Sequence, residues 1–188
     1  MSVRQTVFHG YRGTTKFWGD KCKFHNEFTL STSPDEYFGY GIYFFENDQR
    51  EAYNFARYAR RIPHNRIRII YALIETDRVL DFFESRVFEN YIRLIKDILD
   101  RYKDEEVVPD LDLKNPFDCR LINDICEREN YLLVKTPYTP QHQLGILYND
   151  QGYTRIKRTH IQLCVRDISI IKEHKVFKPM KDGSFKDV

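Results

Sequence analysis

The chain has 188 residues, a length that suits one compact domain with its own core. Its formal net charge of +2 creates no global field toward nucleic acid, so any such partner must be argued from local patches. No apolar stretch approaches the roughly 18–20 residues of a membrane span. The N-terminal MSVRQTVFHG lacks the apolar region of a leader, so a cytoplasmic location is expected. The four cysteines, Cys22, Cys119, Cys126 and Cys164, form no CxxC pair, which points to reduced thiols and no metal.

In chain order, residues 4–9 read as a strand entering the core, and residues 11–27 as a polar loop punctuated by Gly13 and Gly19. Phe28–Ser31 is a short extended piece, and residues 40–45 read as a strand of aromatic and β-branched residues. A helix is expected from Asn47 or Asp48, because Asp48 followed by Glu51 fits a capping box and Ala52, Phe55, Ala56 and Ala59 share one helical face. Residues 66–74 alternate and then turn apolar, the pattern of a half-buried strand.

Residues 84–102 give the clearest helix, with a stripe of Phe88, Tyr91, Ile92, Ile95, Ile98, Leu99 and Tyr102 expected to pack into the core. A further helix is expected to start at Asn115-Pro116, burying Phe117, Leu121, Ile122 and Ile125. The last part reads as strands at 131–136, 144–149, 154–157, 160–166 and 168–173. Together these elements form an α+β domain over 1–178, followed by a flexible polar tail over 179–188.

Three segments carry chemistry. Val7-Phe8-His9-Gly10 is a short strand ending in His-Gly. Gly39-Tyr40-Gly41-Ile42-Tyr43-Phe44-Phe45 is a glycine-punctuated strand that presents aromatic faces. Thr159-His160-Ile161-Gln162-Leu163-Cys164-Val165 is a late strand. In this order they resemble the ADP-ribosyltransferase superfamily, on its diphtheria-toxin/PARP-like branch, which is known by a His-Tyr-Glu triad on three strands. The resemblance spans 7–56 well and 158–170 fairly, whereas 75–130 carries no matching motif. In detail the chain is similar to small bacterial toxins of toxin–antitoxin–chaperone modules that act against phages.

The resemblance implies a split β-sheet core with helices at the side. It implies NAD as substrate, a macromolecular acceptor (RNA in preference to protein) and a protein antitoxin as partner. It assigns the triad to His9, Tyr43 and Gln162. His9 would bond a ribose hydroxyl of the adenosine half, and the Gly10 backbone would meet the nicotinamide carboxamide. Tyr43 would stack on the nicotinamide ring, with Tyr53 as the opposite wall. Arg12, Thr14 and Thr15 follow as donors to phosphate or adenosine. Tyr11 stands where the motif usually has Thr or Ser.

The reaction breaks the ribose–nicotinamide bond through an oxocarbenium-like sugar, so charge stabilisation matters most. Gln162 keeps the hydrogen bond of the usual glutamate but loses its charge, which favours single transfer over chain elongation. Glu46 and His160 are the candidate bases by proximity in sequence. Two basic clusters suit a nucleic-acid acceptor: Arg57, Arg60 and Arg61 with Arg66 and Arg68, and Arg155, Lys157 and Arg158, interleaved with Tyr58 and Tyr153. Two other readings stay open, a nucleotide-binding module without turnover, and NAD hydrolysis or tRNA 2′-phosphate removal on a related fold.

Overall fold

The computed structural model describes residues 5–33, 36–103, 117–138 and 159–188. The elements are β1 (Thr6–Thr15), α1 (Lys16–His25), β2 (Ile42–Glu46), α2 (Gln49–Asn54) running into a π-helical turn (Phe55–Ala59), β3 (Ile67–Thr76), β4 (Val79–Asp81), α3 (Ser85–Lys103), α4 (Phe117–Glu129), β5 (Leu133–Tyr138), β6 (His160–Val165), β7 (Ile171–Pro179) and β8 (Phe185–Asp187). Short 3₁₀ turns at His64–Arg66 and Ile168–Ile170 precede β3 and β7. The arrangement is α+β: one eight-stranded sheet in the order β4-β5-β6-β2-β1-β3-β7-β8, antiparallel except for the β4–β5 pair.

This sheet is nearly two sheets. On one side β1 pairs with β3 at every position from Thr6↔Thr76 to Thr15↔Ile67. On its other side β1 meets β2 only at Gly10↔Glu46 and Tyr11↔Phe45, after which the two strands diverge. The fork has a local cause in the packing of α2. A Cβ on Gly13 would lie 2.0 Å from the Ala52 carbonyl oxygen, so glycine alone lets β1 pass beneath that helix.

Each face of the sheet is covered. Phe8, Ile42, Phe44, Ala72, Ile74, Leu163 and Val165 form one core, with Cys22 of α1 and the half-buried Phe28 packed into it. On the opposite face Phe45, Ile67 and Ile69 pack under Ala52 and Ala56 of α2 and its π turn. Val134 and Cys164 pack there under Ile122 and Cys126 of α4.

Several expectations are corrected. The first strand does not stop at residue 9 but continues to Thr15, and residues 16–25 are helical, not loop. Thr15 caps α1 by accepting from the Trp18 amide, and Asn26 ends it in the left-handed conformation. Gly13 and Gly19 mark close packing and not a loop, Gly13 against Ala52 and Gly19 against Arg68, and neither breaks its element. The helix after Asp48 has the expected cap, with the Asp48 side chain accepting from the Glu51 amide. It turns π-helical at Phe55, so Ala56 is buried while Ala59 is exposed.

The α3 stripe is core only in part: Tyr91 and Ile95 are half-buried, with Tyr91 hydrogen-bonded to Asp118, Phe88 is 50% and Ile92 48% exposed, and the side chains of Ile98, Leu99 and Tyr102 lie outside the described residues. Phe28–Ser31 contributes a single bridge, Ser31↔Gly41. Over the expected flexible tail, Phe185–Asp187 instead forms β8 on β7, because alternation places Phe185 against the core beside Tyr53. The expected strands at 144–149 and 154–157, and the Asn115-Pro116 helix start, lie outside the described residues.

Candidate functional site

The fork between β1 and β2 opens into a cavity of about 220 Å³. From the β1 side it is lined by Arg12 and Gly13, and from the β2–β6 side by Tyr43, Phe45 and Gln162. The segment before β2 adds Ser31, Glu36, Tyr37 and Phe38. The π turn adds Phe55 and Arg60, and the end of β5 adds Tyr138.

The register explains why the two strands of the late motifs converge. Phe45 pairs with Gln162 and Tyr43 with Cys164, so Tyr43, Phe45 and Gln162 project from one face. Gly41 permits this pairing, since a Cβ there would lie 2.3 Å from the Cys164 sulfur. Gly39 has φ +84° and turns the chain so that its carbonyl accepts from the Tyr43 hydroxyl at 2.6 Å. That hydroxyl also accepts from the Phe38 amide at 3.3 Å. Burial, reinforced by Cys164 and Glu36, raises Tyr43 well above the ordinary phenol range. Tyr43 therefore offers its ring face and not a proton.

The loop that carries Tyr37–Tyr40 is fastened from outside the cavity. The Asn123 side-chain oxygen accepts from the Tyr40 amide at 2.8 Å and from Arg166 at 2.6 Å, while Arg166 also donates to the Tyr40 carbonyl at 3.1 Å. Neither Asn123 nor Arg166 stands out in the sequence, because each acts on backbone distant in the chain.

Two aromatic groups flank the cavity. Phe38 lies against Tyr43, with ring centres 6.5 Å apart. Phe55 and Tyr138 gather around Phe45 at 5.8 and 5.9 Å. The wide π turn gives this second group its form. The Arg60 amide bonds back to the Phe55 carbonyl, five residues earlier, at 3.0 Å. Arg60 then lies over the Phe55 ring at 5.5 Å.

The charged groups are unevenly balanced. Arg12 donates to the Thr29 carbonyl at 2.9 Å. Burial, with repulsion from Arg60, lowers its guanidinium to about 10, so at neutral pH it remains charged in a place that disfavours charge. Glu36 is the acidic side chain in the lining, and Ser31 donates a hydrogen bond to it. An anionic or strongly polar ligand group entering beside Arg12 relieves that imbalance.

The structure redistributes the expected site. It brings Tyr43, Gln162, Arg12 and Arg60 together and leaves other residues out. His9 shares the sheet face of Tyr43 but lies beyond the end of β2, exposed, with Nδ1 2.9 Å from the Tyr71 hydroxyl. Gly10 sits at the closed base of the fork against Phe44, and Tyr11 packs on Tyr71. Thr14 is buried, and Thr15 is the cap of α1. Tyr53 is not the opposite wall of Tyr43, because the helix turns it outward, where its hydroxyl meets His64 at 3.1 Å. Phe55 occupies the cavity wall in its place.

Neither expected base reaches the cavity. Glu46 lies on the opposite face of the sheet and pairs with Lys135 at 3.5 Å. His160 is buried between Asp48 at 3.0 Å and Glu51 at 3.5 Å, a clamp that fastens β6 to the start of α2. Of the first basic cluster, Arg60 faces the cavity, Arg57 faces away from it and Arg61 is exposed. Arg155, Lys157 and Arg158 lie outside the described residues. Among the described residues no group of His, Cys, Asp and Glu is arranged to hold a metal, and no helix is long and apolar enough to cross a membrane.

The chain matches no known protein family and no curated protein, and its fold matches no solved structure.

Proposed function

We propose that the chain is an NAD-dependent mono-ADP-ribosyltransferase whose cavity holds the nicotinamide–ribose half of NAD. One observation carries this reading. The divergence of β1 from β2 gathers the half-buried Arg12, Tyr43, Gln162 and two aromatic walls into one small cavity. Its volume of about 220 Å³ is below the roughly 300–1,000 Å³ of whole drug-sized sites, so it encloses one ring and sugar and leaves the rest of a dinucleotide at the mouth.

The β1 residues in the cavity lining are not His9 and Gly10 but Arg12 and Gly13, three positions further along the strand. In this reading Arg12 anchors the polar part of NAD. Tyr43 and the Phe45–Phe55 group hold the nicotinamide ring, and Gln162 bonds a ribose hydroxyl. The ribose–nicotinamide bond breaks with its electron pair leaving on the neutral nicotinamide, and an acceptor nucleophile closes on the sugar carbon and loses its proton to water. Glu36 supplies the negative charge that Gln162 cannot, opposite the developing oxocarbenium ion. The acceptor we favour is RNA, with a protein acceptor as the competing outcome. The roles as toxin in phage defence and as partner of an antitoxin rest on the resemblance alone.

Labelled NAD with cell extract, split between ribonuclease and protease treatment, tests the reading. Label removed by ribonuclease supports it in full, and label removed by protease moves the acceptor to protein. NAD left intact and unbound sinks it. NAD bound but never consumed favours the binding-module reading, which the neutral Gln162 motivates. Glu36→Gln separates charge from shape: turnover is expected to fall about tenfold or more, the scale of a lost charge-stabilising group, with NAD affinity nearly unchanged.

A further inference from the structure

Behind the helical segment that walls the cavity lies a second concavity of about 400 Å³. Its lining includes Arg50, Tyr53, Arg57, His64, Lys181 and Phe185 and, among the described residues, no carboxylate. Arg57 donates to the Ile62 carbonyl at 3.4 Å. Among the described residues, none of Arg50, Arg57 and Lys181 is paired with an acidic side chain. Three cations with no acidic partner among the described residues, converging on one hollow, favour a ligand with several negative charges.

The rest of the lining narrows the choice. Tyr53 and Phe185 are half-buried and meet edge to face with centres 6.1 Å apart, so they form an apolar floor between the cations. A free phosphate does not need such a floor, but a nucleotide does, because every base has a face that stacks. The bases of a duplex are already stacked on each other, and only a single strand can place one here. The β7–β8 turn builds the far wall. Gly183 has φ +84°, and its Cβ position would lie 3.6 Å from both terminal nitrogens of Arg50.

We propose that this hollow binds a single-stranded nucleic acid, with its phosphates on Arg50, Arg57 and Lys181 and one base against Tyr53 and Phe185. The strand then lies one helix width, about 10–12 Å, from the cavity, because the same helical segment presents Tyr53 and Arg57 to the hollow and Phe55 and Arg60 to the cavity. Its use as the route of the acceptor rests on the NAD reading; the binding itself does not.

The test is fluorescence anisotropy of a labelled 15-nucleotide polyU strand, the same length of polyT and a duplex of that length, across a salt series without NAD. The single strands are expected to bind more tightly than the duplex. The double variant Arg50→Ala/Lys181→Ala, both exposed positions, is expected to bind at least about tenfold more weakly and to lose about 1.4 from the log–log salt slope, two contacts at about 0.7 each. The conservative pair Arg50→Lys/Lys181→Arg, checked for the same melting temperature, should retain most of the affinity. PolyU bound more tightly than polyT assigns RNA, and equal binding assigns the shared phosphate and base chemistry. No binding by the unaltered protein, equal or tighter binding of the duplex, or an unchanged affinity and slope in the double variant overturns the proposal. Since NAD is absent, its failure leaves the cavity reading standing, and a failed NAD titration leaves this one standing.

Discussion

Two dipeptides of β1 carry the same chemical pattern three residues apart, and the fold uses them differently. His9-Gly10 lies where β1 and β2 are still joined. There the basic side chain is exposed against Tyr71, and the glycine fits against Phe44. Arg12-Gly13 lies where the strands have parted. There the basic side chain lines the cavity, and the glycine admits the backbone of α2. A strand position becomes a site when one of its two ladder partners leaves, because only then is there a hollow beside it.

The largest way to break this contrast is through the glycines. Gly13→Ala drives a methyl into the Ala52 carbonyl, which as backbone cannot step aside, and is expected to cost about 3 kcal/mol or more. Gly10→Ala meets the Phe44 side chain at 2.8 Å and should cost about 1–2 kcal/mol. Urea unfolding measures both, and an equal or reversed order would falsify the claim that β1 passes closely beneath α2 at Gly13.

The side chains come next. Arg12→Ala is expected to lower NAD consumption about a hundredfold, roughly 2.7 kcal/mol, while His9→Ala stays within about threefold. Steady-state kinetics decide this, and a deeper loss at His9 would return the site to His9.

The smallest effect is alkaline. Burial raises Cys22 to about 11 and Cys164 to about 12 from the ordinary 9.0, and Arg12 lies within electrostatic reach of both. Above pH 9 the unfolded chain releases thiol protons that the folded chain keeps. Stability therefore falls with rising pH, by at most about 1.4 kcal/mol per thiol per unit. Lowered Arg12 acts in the opposite sense, but only above about 10. Melting temperatures between pH 8 and 10 should decline, and Cys22→Ala should flatten the decline. A flat profile in the unaltered chain would contradict the burial of these thiols.

Much of this molecule is legible in the chain itself. The alternation of 67–74, the Asp48 cap and the amphipathic stripe of α3 follow from local periodicity, which needs no knowledge of neighbours. The strands of Tyr43 and Gln162 are also legible, and they pair directly in the sheet. The stripe of α3, by contrast, shows that periodicity predicts a helix but not its burial. Glu36 and Tyr138 give no signal, because a lone acid before a strand and a tyrosine after a proline look like surface, and Phe55 reads only as part of a helical face. Only the tertiary structure decided that β1 leaves β2 after Tyr11, that a π turn aims Phe55 and Arg60 inward and Tyr53 outward, and that His160 is a clamp between two carboxylates. The physical reason is that sequence fixes what each segment prefers, whereas a hollow exists only between segments, where helix, strand and turn meet at distances no single one of them contains.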